Sequence, residues 1–163
     1  LGIISVVYYL VAYLITNLAA FGIVAAYSRL VGSDEIKDYA GMSRRSPALA
    51  LMMLVAFLSL AGMPPFGGFV AKVFVFAAAI ETNYIWLAVI GVLNSIIGLY
   101  YYLTVLKVVY LYRASEEDEA KPLPLTRPSA IALGILTIGI IIVGVVISPW
   151  FDIAINAMSV FFS

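Results

Sequence analysis

The stretch of the chain best equipped for chemistry is LSLAGMPPFGGFVAKVF, Leu58 to Phe74. Pro64 and Pro65 lack a backbone donor and clash with the turn before them. Met63 is pushed out of helical geometry by the proline that follows it. Gly62, Gly67 and Gly68 leave the backbone free and uncovered. Two prolines and three glycines within seven residues interrupt a helix. In hydrocarbon, the freed carbonyls need partners, so such a break is tolerated only where it packs on protein or lines a hydrated cavity. Discontinuous helices of this kind mark ion and substrate sites in transporters. A single proline would be read as a packing kink; this cluster is read as functional.

Lys72 follows the break, and it is the one charged residue between Ser46 and Ile80. It stands about 12 Å of helix from the connection at Glu81. A lysine at that depth costs a few kcal/mol or more to insert. Its long stem offers one escape, snorkelling to the interface. The neighbouring break offers another, a wet cavity. In a partly dry cavity desolvation disfavours the charged amine, so Lys72 can gain and lose a proton in working time. A nearby carboxylate would restore the charge, and moving it would act as a switch. The apolar blocks contain no carboxylate, so that partner is expected from other helices or another subunit.

A second polar group lies in NSIIGLYYYLTVLK, Asn94 to Lys107. Asn94, Tyr101 and Lys107, with Asn17 on an earlier segment, are the candidate members of a hydrogen-bonded proton path. Thr16 is a weaker candidate beside Asn17. Each has a plainer role available. Asn94 can bond helix to helix, the tyrosines can form an interfacial belt, and Lys107 can snorkel. Tyr100, Tyr101 and Tyr102 point in three directions around a helix, so they cannot all line one path.

These groups must be positioned by membrane helices. The 163 residues are 64% hydrophobic and 11% charged, with a mean hydropathy of +1.11. A soluble domain carries about 25% charged residues, so lipid is the solvent for much of this surface. Net charge is zero, which argues against nucleic acid. The sequence has no cysteine or histidine. That excludes disulfides, thiolate catalysis and Cys/His metal or iron–sulfur sites within it. Strand-like alternation is absent, so the expected fold is an all-α integral membrane protein with four transmembrane helices.

The sequence places the first helix at 1–31, a loop at 32–45, and a discontinuous second helix at 46–80, broken at Pro64-Pro65. A short connection at 81–83, a third helix at 84–112, a loop at 113–127 and a fourth helix at 128–148 follow. A straight second helix of about 35 residues would reach roughly 50 Å, so the break also solves a length problem. Residues 149–163 are expected to lie at the interface or to fray from the last helix. The chain starts on an apolar run without the basic flank of a signal peptide, and reads as a piece of something longer.

Eight of the nine basic residues flank the first and third loops. The positive-inside rule makes those loops cytoplasmic and puts both ends on the opposite side. Lys72 is the ninth, and topology does not explain it.

The runs SLAGMPPFGGFVAKVFVF and NSIIGLYYYLTVLKVVY, with NLAAFGIVAAYS before them, resemble the antiporter-like membrane subunits of respiratory complex I. The nearest likeness is to the N-type, sharpened by the triple tyrosine, and it covers nearly the whole chain. The resemblance implies an inverted-repeat bundle of fourteen helices, of which this sequence is the last four. It implies that Lys72 carries protons in a translocating NADH-quinone oxidoreductase, in a bacterial inner membrane or an organellar one. It implies no cofactor in this chain, with NADH or another electron donor, iron–sulfur clusters and quinone handled by other subunits. The partners implied are the remaining helices, other membrane subunits and lipid, and no nucleic acid. A glutamate at the position of Lys72 would fit the M-type, and a long lateral helix the L-type. A sodium/proton antiporter subunit of the same superfamily and a purely structural membrane subunit are the alternatives.

Overall fold

The computed structural model describes residues 2–119 and 121–147, with 149 and 152. Their regular structure is entirely helical, without a strand among the described residues. The helices are α1 (Gly2–Val31), α2 (Met42–Arg45), α3 (Pro47–Ala61), α4 (Gly67–Glu81), α5 (Ile85–Leu111), α6 (Glu116–Glu119) and α7 (Arg127–Val145), with a 3-10 turn at Ile36–Tyr39. Three of them, α1, α5 and α7, are long and apolar enough to cross a membrane. Helices α3 and α4 have 15 residues each, about 22 Å apiece, too short to cross alone.

Local chemistry sets the boundaries. Pro47 opens α3, where a missing backbone donor costs nothing. Gly62 closes it in the left-handed region, at φ 81°. Gly62 N–H donates to the Ser59 carbonyl (3.0 Å) and Met63 N–H to the Leu58 carbonyl (2.9 Å), the paired closure of a Schellman motif. The same closure ends α4. Asn83, at φ 63°, donates to Ile80, and Tyr84 donates to Ala79. Asparagine tolerates that conformation better than most side chains.

Helix α1 packs on α3, α4 and α7, while α5 packs on α3 and α4. The two halves therefore sit inside the bundle and have separate cores. Around α3, Ile23, Tyr27, Met42, Leu49, Met53 and Val109 are buried together. Around α4, Tyr8, Ala12, Val70, Ala71 and Val143 are. Alanines recur at these contacts, as expected where helices associate by close approach and lipid supplies no hydrophobic drive.

The two basic loops meet at one end. Gly41 N–H donates to the Tyr112 carbonyl (3.0 Å), Leu123 N–H to the Arg45 carbonyl (2.9 Å), and Arg44 pairs with Glu119 at 2.6 Å. Neither loop is irregular throughout. Within 113–127, the mostly exposed Glu116–Glu119 forms a helical turn. Ser115 accepts from Asp118 N–H (3.2 Å) and donates to its carboxylate (2.7 Å), a reciprocal cap. The expected interfacial tail, 149–163, lies outside the described residues except for 149 and 152.

Candidate functional site at the helix break

The last four carbonyls of any helix lack intrahelical donors. In α3 these are Leu58, Ser59, Leu60 and Ala61. The Schellman closure satisfies the first two. Lys72 satisfies the other two, donating from Nζ to the Leu60 carbonyl at 3.0 Å and the Ala61 carbonyl at 3.3 Å. The break sets the first turns of α4 beside the end of α3, so a lysine on the second turn of α4 caps the preceding half-helix. Its charge also sits at the negative end of the α3 dipole, where a cation is favoured. At the end of α4, Thr82 to Tyr84 are solvent-facing and no such cation is needed. Lys72 is half-buried, with its stem over the bare Cα of Gly62. A Cβ there would lie 2.9 Å from Lys72 Cδ and 3.1 Å from Nζ.

A second device holds the halves together. Gly68 N–H, in the opening turn of α4, donates to Ser59 Oγ at 3.1 Å. Ser59 Oγ lies 3.2 Å from Thr16 Oγ1, and Thr16 donates to the Ala12 carbonyl at 2.7 Å. Thr16 has one hydrogen and spends it on Ala12, so Ser59 donates to Thr16. The chain of bonds runs from Gly68 through Ser59 and Thr16 to α1. Gly68 is obligatory here, because a Cβ would strike the Ser59 carbonyl. Behind the break, Gly144 of α7 lets Pro65 and Phe66 approach its backbone just as closely. Pro64-Pro65 is a cis peptide.

Lys72, Ser59, Thr16, Asn94, Ser95 and Tyr102 face one cavity of about 390 Å³ between α1, the broken pair and α5. That cavity holds hydroxyl, amide and ammonium groups in an apolar surround, the composition that retains ordered water.

The transmembrane family described as NADH:quinone oxidoreductase/Mrp antiporter matches residues 1–98, a stretch that includes the break, Lys72 and Asn94. The chain belongs to this family. Among its antiporter-family relatives, NADH-quinone oxidoreductase subunit N of Moorella thermoacetica is 41% identical over 99% of this chain and 34% of its own length. Subunit N of Heliobacterium modesticaldum is 36% identical over 94% of this chain and 32% of its own length. The fold is similar to a chain in respiratory complex I from Thermus thermophilus with bound aureothin. The TM-score is 0.76 at 25% identity, covering 92% of this chain and 34% of that one. The chain thus spans about a third of the length of the relatives it matches.

Not every candidate from the sequence is placed at this antiporter-family site. Asn94 lines the cavity with Lys72. Asn17 donates to the Tyr13 carbonyl at 2.8 Å and lines a separate, mostly apolar groove on the far face of α1. Tyr101 is 65% exposed and points outward, with its ring against Tyr100. Lys107 lies over the Tyr112 ring at 5.7 Å, near the loop end of α5. Those three are not brought together with Lys72. Ser59 was not singled out from the sequence, although it is fully buried and central to the site. Its one sequence signal is its position three residues before the Gly62 closure.

Proposed function

We propose that this chain is part of a proton-translocating membrane subunit of an NADH-quinone oxidoreductase, with Lys72 as the proton-carrying residue. The observation that supports this most directly is the position of the Lys72 ammonium. It is held by two carbonyls at a broken helix, beside a cavity that also carries hydroxyls and an amide. Two carbonyls with partial charge hold an ammonium without neutralising it. A carboxylate or a water chain can then draw it away at modest cost. On this reading α3 and α4 cross the membrane together as one discontinuous segment, giving four crossings. The basic loops face the cytoplasm and the Glu81–Asn83 turn faces the other side. The membrane is the bacterial inner membrane. The partners are the remaining helices of the subunit and further membrane subunits, and the electron carriers sit on those other subunits.

Lys72→Met in the intact complex is the test. The expected outcome is retained assembly with proton transport reduced at least tenfold, and Lys72→Arg retaining part of it. Full pumping by an assembled Lys72→Met complex overturns the proposal. The family also includes Mrp antiporters, which favours a second reading, a sodium/proton antiporter subunit. Transport that depends on sodium rather than on pH gradient alone supports that one.

A further inference from the structure

The connection between the two half-helices rests on one step of α7. Pro65 and Phe66 lie against the backbone of Gly144, and Gly67 lies against Val143. A Cβ at Gly67 would come within 2.9 Å of Val143 Cγ1. That step belongs to the last turn of α7, whose final four carbonyls, Ile142 to Val145, lack donors within the helix. Val146 N–H supplies the Ile142 carbonyl. The Val143 carbonyl accepts from the phenol of Tyr8 on α1. Tyr8 thus does for α7 what Lys72 does for α3. It also grips the second half-helix. Tyr8 is buried in one cluster with Val70, Ala71 and Val143, and its ring meets the Phe74 ring edge-on at 5.9 Å. Val70, Ala71 and Phe74 flank Lys72 along α4. One side chain therefore holds both the stretch of α4 around Lys72 and the α7 carbonyl beneath the connection.

We propose that Tyr8 is a positioning residue for Lys72. Its hydroxyl pins the α7 seat of the break and its ring sets the turn of α4, which together hold the Lys72 ammonium at the Leu60 and Ala61 carbonyls. The inference rests on the proton-carrying reading of Lys72, and it adds a residue that acts through that lysine. Tyr8 is not among the residues that line the Lys72 cavity, so its part is to place the carrier and not to pass the proton. Without the hydroxyl, the end of α7 loosens, the start of α4 shifts with it, and Lys72 spends less time on its two carbonyls.

The test uses the complete complex reconstituted in liposomes. Tyr8→Phe keeps the ring and its packing and removes only the donor. Pumping per electron is expected to fall about threefold, the population shift that an average hydrogen bond between membrane helices supports, with assembly and quinone reduction retained. Hydrogen exchange in the last turn of α7 is expected to quicken. Replacing Tyr8 with 3-fluorotyrosine, which keeps the donor, is expected to restore both. A general weakening adds to any other lesion, whereas a residue that acts through Lys72 is coupled to it. Tyr8→Phe is therefore expected to cost less in a Lys72→Arg complex than in one with Lys72 intact. A fully coupled Tyr8→Phe complex overturns the inference. So do an equal loss in the two backgrounds, unchanged exchange at the end of α7, and a fall in pumping that only tracks lost assembly. A Lys72→Met complex that still pumps removes the lysine reading. A fully coupled Tyr8→Phe complex beside a Lys72→Met complex that does not pump removes the positioning role alone.

Discussion

An ammonium held by peptide carbonyls is poised differently from one held by a carboxylate. The C-terminal end of a helix carries about half a negative charge, spread over several oxygens. Lys72 gains hydrogen bonds there yet keeps a net charge to respond to its surroundings. Ser59 governs where that oxygen pair lies relative to Lys72, because its hydroxyl joins α4 to α1 and its carbonyl lies within the α3 closure. Ser59→Ala leaves Gly68 N–H without its side-chain acceptor in a half-buried place. That costs ~1–3 kcal/mol in soluble proteins, and polar contacts between membrane helices average nearer ~0.6 kcal/mol. A loss of about 1 kcal/mol is expected. Thr16→Val should cost less, since Ser59 still accepts from Gly68, and Thr16→Ser should be close to neutral. Thermal unfolding of the purified complex ranks the three. Equal effects would show that the hydroxyl chain does not hold the halves.

At the scale of the elements, the glycines around the break make a sharper test than the prolines. Gly68→Ala and Gly144→Ala each drive a Cβ into backbone of the break, which no side-chain rotation relieves. Gly134→Ala, on the same helix as Gly144, meets only the end of Met52 at 3.9 Å. The expected result is loss of assembly for the first two and normal yield for the third. Normal yield for all three would mean that the break is not tightly packed. The helical character, the apolar spans and the disturbed stretch around Pro64 were legible in the sequence, because composition and proline stereochemistry are local. The capping role of Lys72 was not. It depends on how the break sets the first turns of α4 beside the last turn of α3, which brings together residues 11 and 12 apart in sequence. Ser59 was hidden for a related reason. A hydroxyl in a membrane helix usually bonds back to its own preceding turn, as Thr16, Ser95, Thr104 and Thr137 do here. Ser59 reaches out to another helix and to the other half-helix instead.

At the scale of the whole molecule, α1 and α5 leave broad apolar faces uncovered, with Phe21 70% and Trp86 61% exposed. The described residues span about a third of the relatives' length, so further helices have room to lie on those faces. The bundle is nevertheless held at one end by its loops. The exposed Arg44–Glu119 pair adds little, ~0–1 kcal/mol, so Arg44→Ala should leave stability almost unchanged. The backbone bonds from Gly41 and Leu123 do the joining. Because those bonds put both basic loops at the same end, the charge pattern makes one orientation claim for both. The chain has no cysteine of its own, so single cysteines can report on it once the rest of the complex is made cysteine-free at the surface. Glu117→Cys and Lys37→Cys lie in exposed loop positions, and both should react with an impermeant thiol reagent from the cytoplasmic side only. Glu81→Cys, in the turn between α4 and α5, should react only from the other side. Reaction of Glu117→Cys and Glu81→Cys from one side would mean that the α5 helix does not cross. The cavity around Lys72 would then lose the wall that Asn94, Ser95 and Tyr102 supply as part of a membrane-spanning helix, leaving α1 as its spanning neighbour.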